Sequence, residues 1–177
     1  MSEYLFGFIG TGNMGAALAR AAGKQLEPSQ LILTDKDKDK ARALAEEMGC
    51  SFGSVEEVVK NSQYIFLGVK PQMMSELLQS ISGILASRES GFTLVTMAAG
   101  VAIETIESRL GSCYPIIRIM PNINASVGGG MILYCANEKV SDEAKKRFVE
   151  KMASAGKFDE LPENLIDACL LYTSRCV

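Results

Sequence analysis

The fold prediction starts from YLFGFIGTGNMG, residues 4–15, near the beginning of the chain. Its first half is apolar and strand-forming, and its Gly-x-Gly-x-x-Gly turn leads at once into a helical pattern. In such a turn Gly10 permits the sharp bend, Gly12 leaves room for a pyrophosphate against bare backbone, and Gly15 lets the helix pack closely on the strand. The helix N-terminus would then point its N–H groups at the phosphates. A structural strand-to-helix turn without a ligand is the alternative that this stretch leaves open.

A carboxylate about twenty residues further on supports a dinucleotide site. The apolar run 31–34 predicts a short buried strand, and Asp35 closes it. A dinucleotide fold places a carboxylate at this point on the adenosine ribose hydroxyls. Lys36 and Lys38 belong to the alternating charges that follow, which form either a solvated helix end or a contact to a 2′-phosphate. Because Asp35 would repel that phosphate, NADH and NADPH both stay open.

Strand-like and helical segments alternate through the first two-thirds of the chain. Further apolar strands are predicted at 64–69, 92–96, 115–120 and 131–135. Helices are predicted at 16–25, 41–48, 55–60, 73–85, 103–110 and 141–153. A short strand or turn near Phe158 and a small helix from Pro162 follow. The alternation predicts right-handed βαβ units, and therefore an α/β, Rossmann-type doubly wound, mostly parallel sheet with helices on both faces.

Composition and charge exclude several classes of function. The chain has 177 residues, of which 47% are apolar and 22% charged, as expected for a globular protein with a sizeable core. A formal net charge of −3 argues against a general nucleic-acid binder. No apolar run reaches the length of a membrane span, and no leader precedes the first strand. We therefore expect a cytoplasmic protein that binds neither nucleic acid nor membrane.

The chain contains no histidine and five cysteines. The absence of histidine removes Ser-His and Cys-His nucleophilic schemes, histidine-ligated metals and histidine acid–base catalysis. The cysteines are odd in number and lack zinc-ribbon spacing, so we expect reduced, mostly buried thiols and no metal site. The chemistry would then use a cofactor, a carboxylate, a lysine, a hydroxyl or backbone groups, and the sequence assigns no catalytic residue.

Four motifs taken together resemble those of pyrroline-5-carboxylate reductase, the last enzyme of proline biosynthesis. In chain order they are Gly7-Phe8-Ile9-Gly10-Thr11-Gly12-Asn13-Met14, Val69-Lys70-Pro71-Gln72, Ala98-Ala99-Gly100-Val101 and Ile117-Arg118-Ile119-Met120-Pro121-Asn122. The glycine turn is shared with many dehydrogenases, whereas the second and fourth motifs in combination are far more specific. The resemblance covers roughly residues 5 to 168.

This resemblance implies an oxidoreductase that transfers a hydride from NADPH or NADH to the C=N carbon of 1-pyrroline-5-carboxylate and so forms L-proline. An iminium carbon is already electrophilic, so the protein would mainly bind, orient and dry the site. Such chemistry suits a chain without histidine. The cofactor is NADP or NAD, with the preference unresolved.

The resemblance also implies a cofactor cleft. It places the pyrophosphate on Gly10, Thr11, Gly12, Asn13 and Met14, and the adenosine ribose beside Asp35 and Lys36. The rest of the cleft would be lined by Gly68, Val69, Lys70, Pro71, Ala98, Ala99 and Gly100, with Pro121 and Asn122 near the nicotinamide and substrate. For Lys70 a solvated position at a helix start is the alternative, and we assign it no proton transfer.

The sequence departs from the family pattern at three places, and the third of these defines the predicted domains. Residues 123–125 read Ile-Asn-Ala where the family continues with Thr-Pro-Ala, and Val55 stands where many members carry an asparagine near the adenosine. After residue 168 the family continues into a Thr-Ala-Leu-Ser-Gly-Ser-Gly-Pro segment and a long helical domain, which would form the dimer and hold the substrate carboxylate. We therefore predict a dinucleotide-binding domain at 1–168 and no C-terminal helical domain here. The tail at 169–177 would be a truncation or gene-model scar, or else a divergent helix.

Two alternatives to this enzyme remain. A related β-hydroxyacid or coenzyme F420-type oxidoreductase would share the glycine turn, although the Val-Lys-Pro-Gln motif disfavours it. A nucleotide-binding module without turnover would suit a chain that lacks the substrate half. We expect this chain to bind nucleotide with little turnover, and its full-length parent to be a homo-oligomer through the missing domain.

Overall fold

The computed structural model describes residues 3–121 and 130–166, which form an α/β domain. The strands within this part are β1 (Tyr4–Ile9), β2 (Leu31–Thr34), β3 (Ser51–Phe52), β4 (Ser62–Leu67), β5 (Thr93–Thr96), β6 (Ile116–Pro121), β7 (Gly130–Ala136) and β8 (Gly156–Glu160). The α-helices are α1 (Asn13–Gly23), α2 (Lys38–Met48), α3 (Val55–Asn61), α4 (Met74–Ala86), α5 (Ile103–Leu110) and α6 (Asp142–Lys151), and residues 163–166 form a last helical turn.

All eight strands belong to one sheet with the order β3-β2-β1-β4-β5-β6-β7-β8. Neighbours are parallel except β6 and β7, which run antiparallel. The first six strands have the 3-2-1-4-5-6 order of dinucleotide-binding folds. The predicted Rossmann-type, mostly parallel sheet is therefore confirmed. The strand order reverses between β1 and β4, and ligands of open α/β sheets bind at such a switch point.

The core has two halves, one on each face of the sheet. Helices α1, α2 and α6 cover one face, where five aromatic rings pack together: Phe6, Phe8, Tyr64, Phe66 and Phe148. Helices α3, α4 and α5 cover the other face over aliphatic strand residues that include Ile65 and Leu67. Successive residues of β4 thus point to opposite faces, as the two-residue period of a strand requires. Helices on both faces are confirmed.

Several helix ends carry residues typical of helix caps. Ser54 and Glu57 form a capping box at the start of α3. Gly49 and Gly111 end α2 and α5 in the left-handed conformation, with φ of 68° and 65°. Ser141 caps α6 by accepting the Ala144 amide at 3.2 Å. These local signals explain why most predicted and observed boundaries agree.

Helix α1 begins at Asn13, three residues before the predicted start at Ala16. The reason is the conformation of Gly12, which is extended and already serves as the N-cap residue. The Ala16 amide donates to the Gly12 carbonyl at 2.8 Å, so the first helical hydrogen bond closes over the motif itself. Asn13 and Met14 therefore lie in the first turn of α1.

Strand β4 ends at Leu67, whereas the sequence predicts a strand that reaches Val69. The Gly68 amide donates to the carbonyl of Ile9 at 2.7 Å, and the chain leaves the sheet at this point. Gly68 and Val69 consequently lie in the turn beyond the strand. The turn belongs to the carboxyl edge of the sheet.

Strand β6 continues to Pro121, although the sequence places the strand end before this proline. Pro121 is in register with Ile132 of the antiparallel strand β7. Proline lacks an amide donor but keeps its carbonyl acceptor, so it is compatible with the last position of a strand.

Two composition-based expectations concern thiols and membranes. Among the described cysteines, Cys135 is buried, but Cys113 is exposed and Cys50 only partly buried. The expectation of mostly buried thiols is wrong for this part of the chain. No helix among residues 3–121 and 130–166 is both long and apolar enough to cross a membrane.

Candidate functional site

The glycine turn lies at the switch point between β1 and β4. The Gly10 amide donates to the Thr34 carbonyl of β2 at 2.9 Å, while the Gly68 amide donates to the Ile9 carbonyl of β1 at 2.7 Å. The ends of three neighbouring strands are thereby tied together by backbone hydrogen bonds. The turns after β1 and β4 share one edge of the sheet, as the sequence predicts.

The first and third glycines of the motif are required because the surrounding backbone leaves no room for a side chain. Gly10 has φ of 100°, and a Cβ atom there would lie 2.4 Å from the Gly68 carbonyl oxygen. A Cβ atom on Gly15 would lie 2.2 Å from the Gly10 carbonyl oxygen. Real Cβ atoms do not approach backbone oxygens so closely, and a side chain at Gly10 would also face an unfavourable φ. These two positions account for the tight strand–helix packing of the motif.

The middle glycine has a different environment. A Cβ atom on Gly12 would meet no heavy atom of the described residues within 4 Å, and Gly12 has an ordinary negative φ of −62°. Neither the backbone conformation nor the surrounding protein requires glycine here. An open surface above bare backbone is what a dinucleotide pyrophosphate needs in order to approach the turn.

The N-terminus of α1 is electrostatically suited to an anion. Within the described part of the chain, no side chain caps α1, and its first turn carries no acidic residue. By contrast, Asp37, Ser54 and Ser141 cap α2, α3 and α6. The free N–H groups and the positive end of the helix dipole are therefore available to a phosphate.

Asp35 lies directly beside the turn, and both of its oxygens already accept hydrogen bonds. Its Oδ2 accepts the amide and the hydroxyl of Thr11, the hydroxyl at 3.0 Å, and its Oδ1 accepts the Asp37 amide at 3.0 Å. Partial burial raises the pKa of Asp35, but these hydrogen bonds and the charge of Lys40 outweigh that effect and lower it below the ordinary value. The sequence predicts that Asp35 lies at the ribose, and the structure shows hydrogen bonds from Thr11 of the glycine turn to Asp35.

A cavity of about 680 Å³ opens between α1 and α2. Its walls include Thr11, Gly12, Asn13 and Met14 of the motif, together with Lys40 of α2. At its far end Arg20 and Glu47 form a bidentate ion pair, with N–O distances of 2.8 and 2.9 Å. The cavity has room for part of a nucleotide, with the uncapped helix end and the Lys40 ammonium on its border.

The remaining predicted cleft residues lie at the same edge, in the turns after β4 and β5. These turns are adjacent because Leu67 and Thr96, the last residues of the two strands, pair with each other. Lys70, Pro71, Ala99 and Gly100 are exposed, as is Lys36 in the turn after β2, whereas Ala98 is buried and Gly68 and Val69 are partly buried. Lys70 serves as the N-cap residue of a short 3₁₀ turn at Pro71–Met73. Asn122 lies outside the described residues, as do 123–125 and the tail.

The sequence does not predict the ion pair of the buried Arg118 with Glu163 near this edge. Arg118 of β6 is 1% exposed, and its guanidinium donates to Glu163 at 3.0 Å. The same Glu163 oxygen accepts the Ile103 amide at the start of α5, at 2.8 Å. An arginine within the apolar run 116–120 is a signal that a buried acceptor exists, but the sequence does not identify which carboxylate supplies it.

Metal ligation receives no support from the geometry. No group of three or more His, Cys, Asp or Glu side chains in residues 3–121 and 130–166 is arranged to hold a metal ion.

Comparisons with known proteins identify the family. A family model described as NADP oxidoreductase coenzyme F420-dependent matches residues 5–100, which include the glycine turn, Asp35 and the turns after β4 and β5. A pyrroline-5-carboxylate reductase from Aquifex aeolicus (strain VF5) is 36% identical over 163 residues, which are 92% of this chain and 59% of the relative. The resemblance inferred from the four motifs is thus confirmed.

Two solved structures share the fold. A pyrroline-5-carboxylate reductase from Coxiella burnetii has a TM-score of 0.85 and 26% identity, covering 93% of this chain and 62% of that one. A pyrroline carboxylate reductase from Plasmodium falciparum with NADP bound has a TM-score of 0.76 and 26% identity, covering 98% and 66%. The chain thus spans less than two-thirds of the length of each of these proteins.

Proposed function

The chain belongs to the family described as NADP oxidoreductase coenzyme F420-dependent, and we propose that it supplies the nucleotide-binding domain of a pyrroline-5-carboxylate reductase. The observation that carries the proposal is the open surface over Gly12 at the switch point of the sheet. This surface lies at an uncapped helix N-terminus, where a pyrophosphate is favoured. The ligand would be NADP or NAD.

Within the proposed site, different residues would bind different parts of the nucleotide. The amides of Asn13 and Met14, in the first turn of α1, would receive the pyrophosphate, while Gly10 gives the turn its shape. Asp35 and Lys36 would lie at the adenosine end. The turns at 68–71 and 98–100 would line the path toward the nicotinamide, together with Asn122. We assign the described residues by their position at the carboxyl edge of the sheet, and Asn122 by the family resemblance alone.

The proposed reaction is reduction of 1-pyrroline-5-carboxylate to L-proline. The reduced nicotinamide, when bound, supplies the hydride. The protein's task is to hold the substrate's C=N carbon against that cofactor and to exclude water. The likeness to reductases of this name supports the substrate, and the lack of histidine in the chain fits a reaction without a histidine acid or base.

We extend the proposal to the domain division and to the complete protein. Residues 1–168 would be the dinucleotide-binding domain, with 169–177 outside the family pattern. The complete protein would act in the cytoplasm as a homo-oligomer, by analogy with the family. Neither nucleic acid nor a membrane is proposed as a partner, in keeping with the net charge of −3.

A pair of assays tests this function. NADH and NADPH are titrated separately against the chain by calorimetry, and oxidation of each is then followed with and without 1-pyrroline-5-carboxylate. We expect saturable binding with little turnover, because the chain spans 59% of the matched relative. Binding that 1-pyrroline-5-carboxylate does not affect would favour a nucleotide-binding module, and no binding of either nucleotide would refute the proposal.

A further inference from the structure

We propose that Asp35 is a positioning residue that orders the glycine turn and contributes equally to the binding of NADH and NADPH. This inference rests on the proposed function, because it concerns the same nucleotide site. It departs from the usual assignment of a carboxylate at this point, which selects NAD by binding both ribose hydroxyls.

The contacts of Asp35 carry the inference. Two of its three hydrogen bonds come from Thr11, through the amide and the hydroxyl, and both reach the same oxygen, Oδ2. The third comes from the Asp37 amide to Oδ1. A carboxylate offers about four lone-pair sites. Three of them are taken by groups of the protein, so little capacity remains for two ribose hydroxyls.

Thr11 has a special position in the turn. It lies between Gly10 and Gly12, and its side chain is completely buried. Its amide donates to Asp35, at the residue that precedes the open surface over Gly12. Since a buried amide and hydroxyl need acceptors, Asp35 fixes the direction of the turn at the residue just before the pyrophosphate surface.

The consequence concerns a part of the ligand that NADH and NADPH share. The turn faces the pyrophosphate, and the two nucleotides differ only at the 2′ position of the adenosine ribose. A disordered turn weakens both to the same extent. Loss of a ribose-selecting carboxylate would instead weaken NADH and strengthen NADPH, because it removes a negative charge from beside the 2′-phosphate.

The variant Asp35→Asn separates these outcomes. The amide keeps the shape of the side chain but presents at most one acceptor oxygen, so it does not satisfy Thr11 and Asp37 together. We expect the dissociation constants of the intact chain for NADH and NADPH both to rise about tenfold, with their ratio unchanged within about twofold. A ratio shifted about tenfold toward NADPH would overturn the inference.

Asp39→Asn is the matched control. Asp39 is exposed in the first turn of α2, four residues from Asp35, and the variant loses the same charge. We expect both dissociation constants to stay within about twofold of wild type. A parallel tenfold loss in Asp39→Asn as well would show that the loss does not depend on the contacts of Asp35, and would refute the role of the Thr11 contact.

A double-variant cycle tests whether Asp35 acts through Thr11. Thr11→Val removes the hydroxyl and keeps the amide. If the two residues act as one unit, Asp35→Asn combined with Thr11→Val loses no more affinity than Asp35→Asn alone. Additive losses would show that Asp35 contributes by another route and would refute the inference.

A last measurement needs no nucleotide and separates this inference from the proposed function. Amide hydrogen exchange of the ligand-free chain should become about tenfold faster at residues 10–12 in Asp35→Asn, while the amides of β5 keep their protection. Unchanged exchange at residues 10–12 would refute the inference even if the wild type binds both nucleotides. Failure of the wild type to bind either nucleotide, with faster exchange in the variant, would refute the proposed function and the contribution of Asp35 to binding, but not its ordering of the glycine turn.

Discussion

Gly10 and Gly68 lie so close together at the switch point of the sheet that neither position has room for a side chain. A Cβ atom on Gly10 would lie 2.4 Å from the Gly68 carbonyl oxygen, and one on Gly68 would lie 2.8 Å from the Gly10 carbonyl oxygen. The turns that follow β1 and β4 therefore touch backbone to backbone. This contact brings the Gly-x-Gly-x-x-Gly turn and the Val-Lys-Pro-Gln motif together at one edge of the sheet.

The first prediction concerns stability. Gly10→Ala should lower the free energy of unfolding by at least about 2 kcal/mol, because alanine is strained at φ of 100° and its Cβ would meet a backbone oxygen. Gly12→Ala has neither problem, and a decrease of about 1 kcal/mol or less is expected from its N-cap preference. Urea unfolding measures both. Equal losses at the two positions would contradict the different roles assigned to these glycines.

The second prediction concerns nucleotide binding. Gly12→Val should weaken the binding of NADH and NADPH at least about tenfold, since the isopropyl group would fill the surface assigned to the pyrophosphate. Gly83→Val is the matched control, because Gly83 is exposed in α4 and a Cβ atom there would also meet no heavy atom of the described part of the chain within 4 Å. Calorimetric titration of both variants gives the comparison. Wild-type affinity in Gly12→Val would exclude the proposed docking surface.

The sequence predicts the strands and helices well because their signals are local. Alternating periodicity, the Ser54–Glu57 capping box and the stop at Gly49 each act within a few residues. The parallel direction of most strands follows from a more general pattern, the alternation of strands and helices in βαβ units. The antiparallel direction of β7 has no comparable local signal, since it depends on how residues far apart in the chain pair with β6.

The site is less completely predicted than the fold. The glycine spacing identifies the turn, but the reason why residue 68 is glycine appears only when β4 lies beside β1. Likewise, the spacing places Asp35 at the end of β2 without indicating that Thr11, twenty-four residues earlier, occupies one of its oxygens. Such contacts join separate strand ends, so no pattern within one segment of sequence reports them.

The third prediction addresses the positive charge beside the motif. Lys40 borders the same cavity as the motif residues 11–14, so its ammonium would lie near the phosphates that NADH and NADPH share. Lys40→Gln should therefore weaken the binding of both nucleotides by a similar factor of about three, as expected for loss of one exposed charge contact. Lys24→Gln, with the same charge change just beyond the other end of α1, should leave both affinities unchanged. Wild-type affinities in Lys40→Gln would contradict this assignment.

The fourth prediction concerns pH. The pKa of Asp35 is lowered in the folded chain: burial opposes this, but the amides of Thr11 and Asp37, the Thr11 hydroxyl and the Lys40 charge prevail. A depressed folded pKa contributes stability that is fully present above the unfolded value, about 3.9, and is lost as pH falls through the folded value. The difference in unfolding free energy between wild type and Asp35→Asn should thus be constant from about pH 5 to 8 and shrink below about pH 4. Urea unfolding of both proteins across this range measures it, and a difference that grows in acid would contradict the direction of the shift.

The last prediction concerns the segment that packs against α5 and β6. Glu163 joins the Ile103 amide to the buried guanidinium of Arg118, and about a third of its own side chain is exposed. Glu163→Gln keeps an acceptor for Ile103 but loses the charge opposite Arg118, which has further interactions of its own. We expect the unfolding free energy to fall by about 2 kcal/mol, less than for a fully buried pair because Glu163 is partly solvated.

Glu104→Gln is the control for Glu163→Gln. Glu104 lies in the first turn of α5 and borders the same cavity of about 470 Å³ as Glu163, but it is exposed. Its replacement should change the unfolding free energy by no more than about 0.5 kcal/mol. Urea unfolding at neutral pH compares the two variants. If they lose the same amount, a general effect of charge at the start of α5 explains the data, and the specific link from residue 163 to the core through Arg118 is refuted.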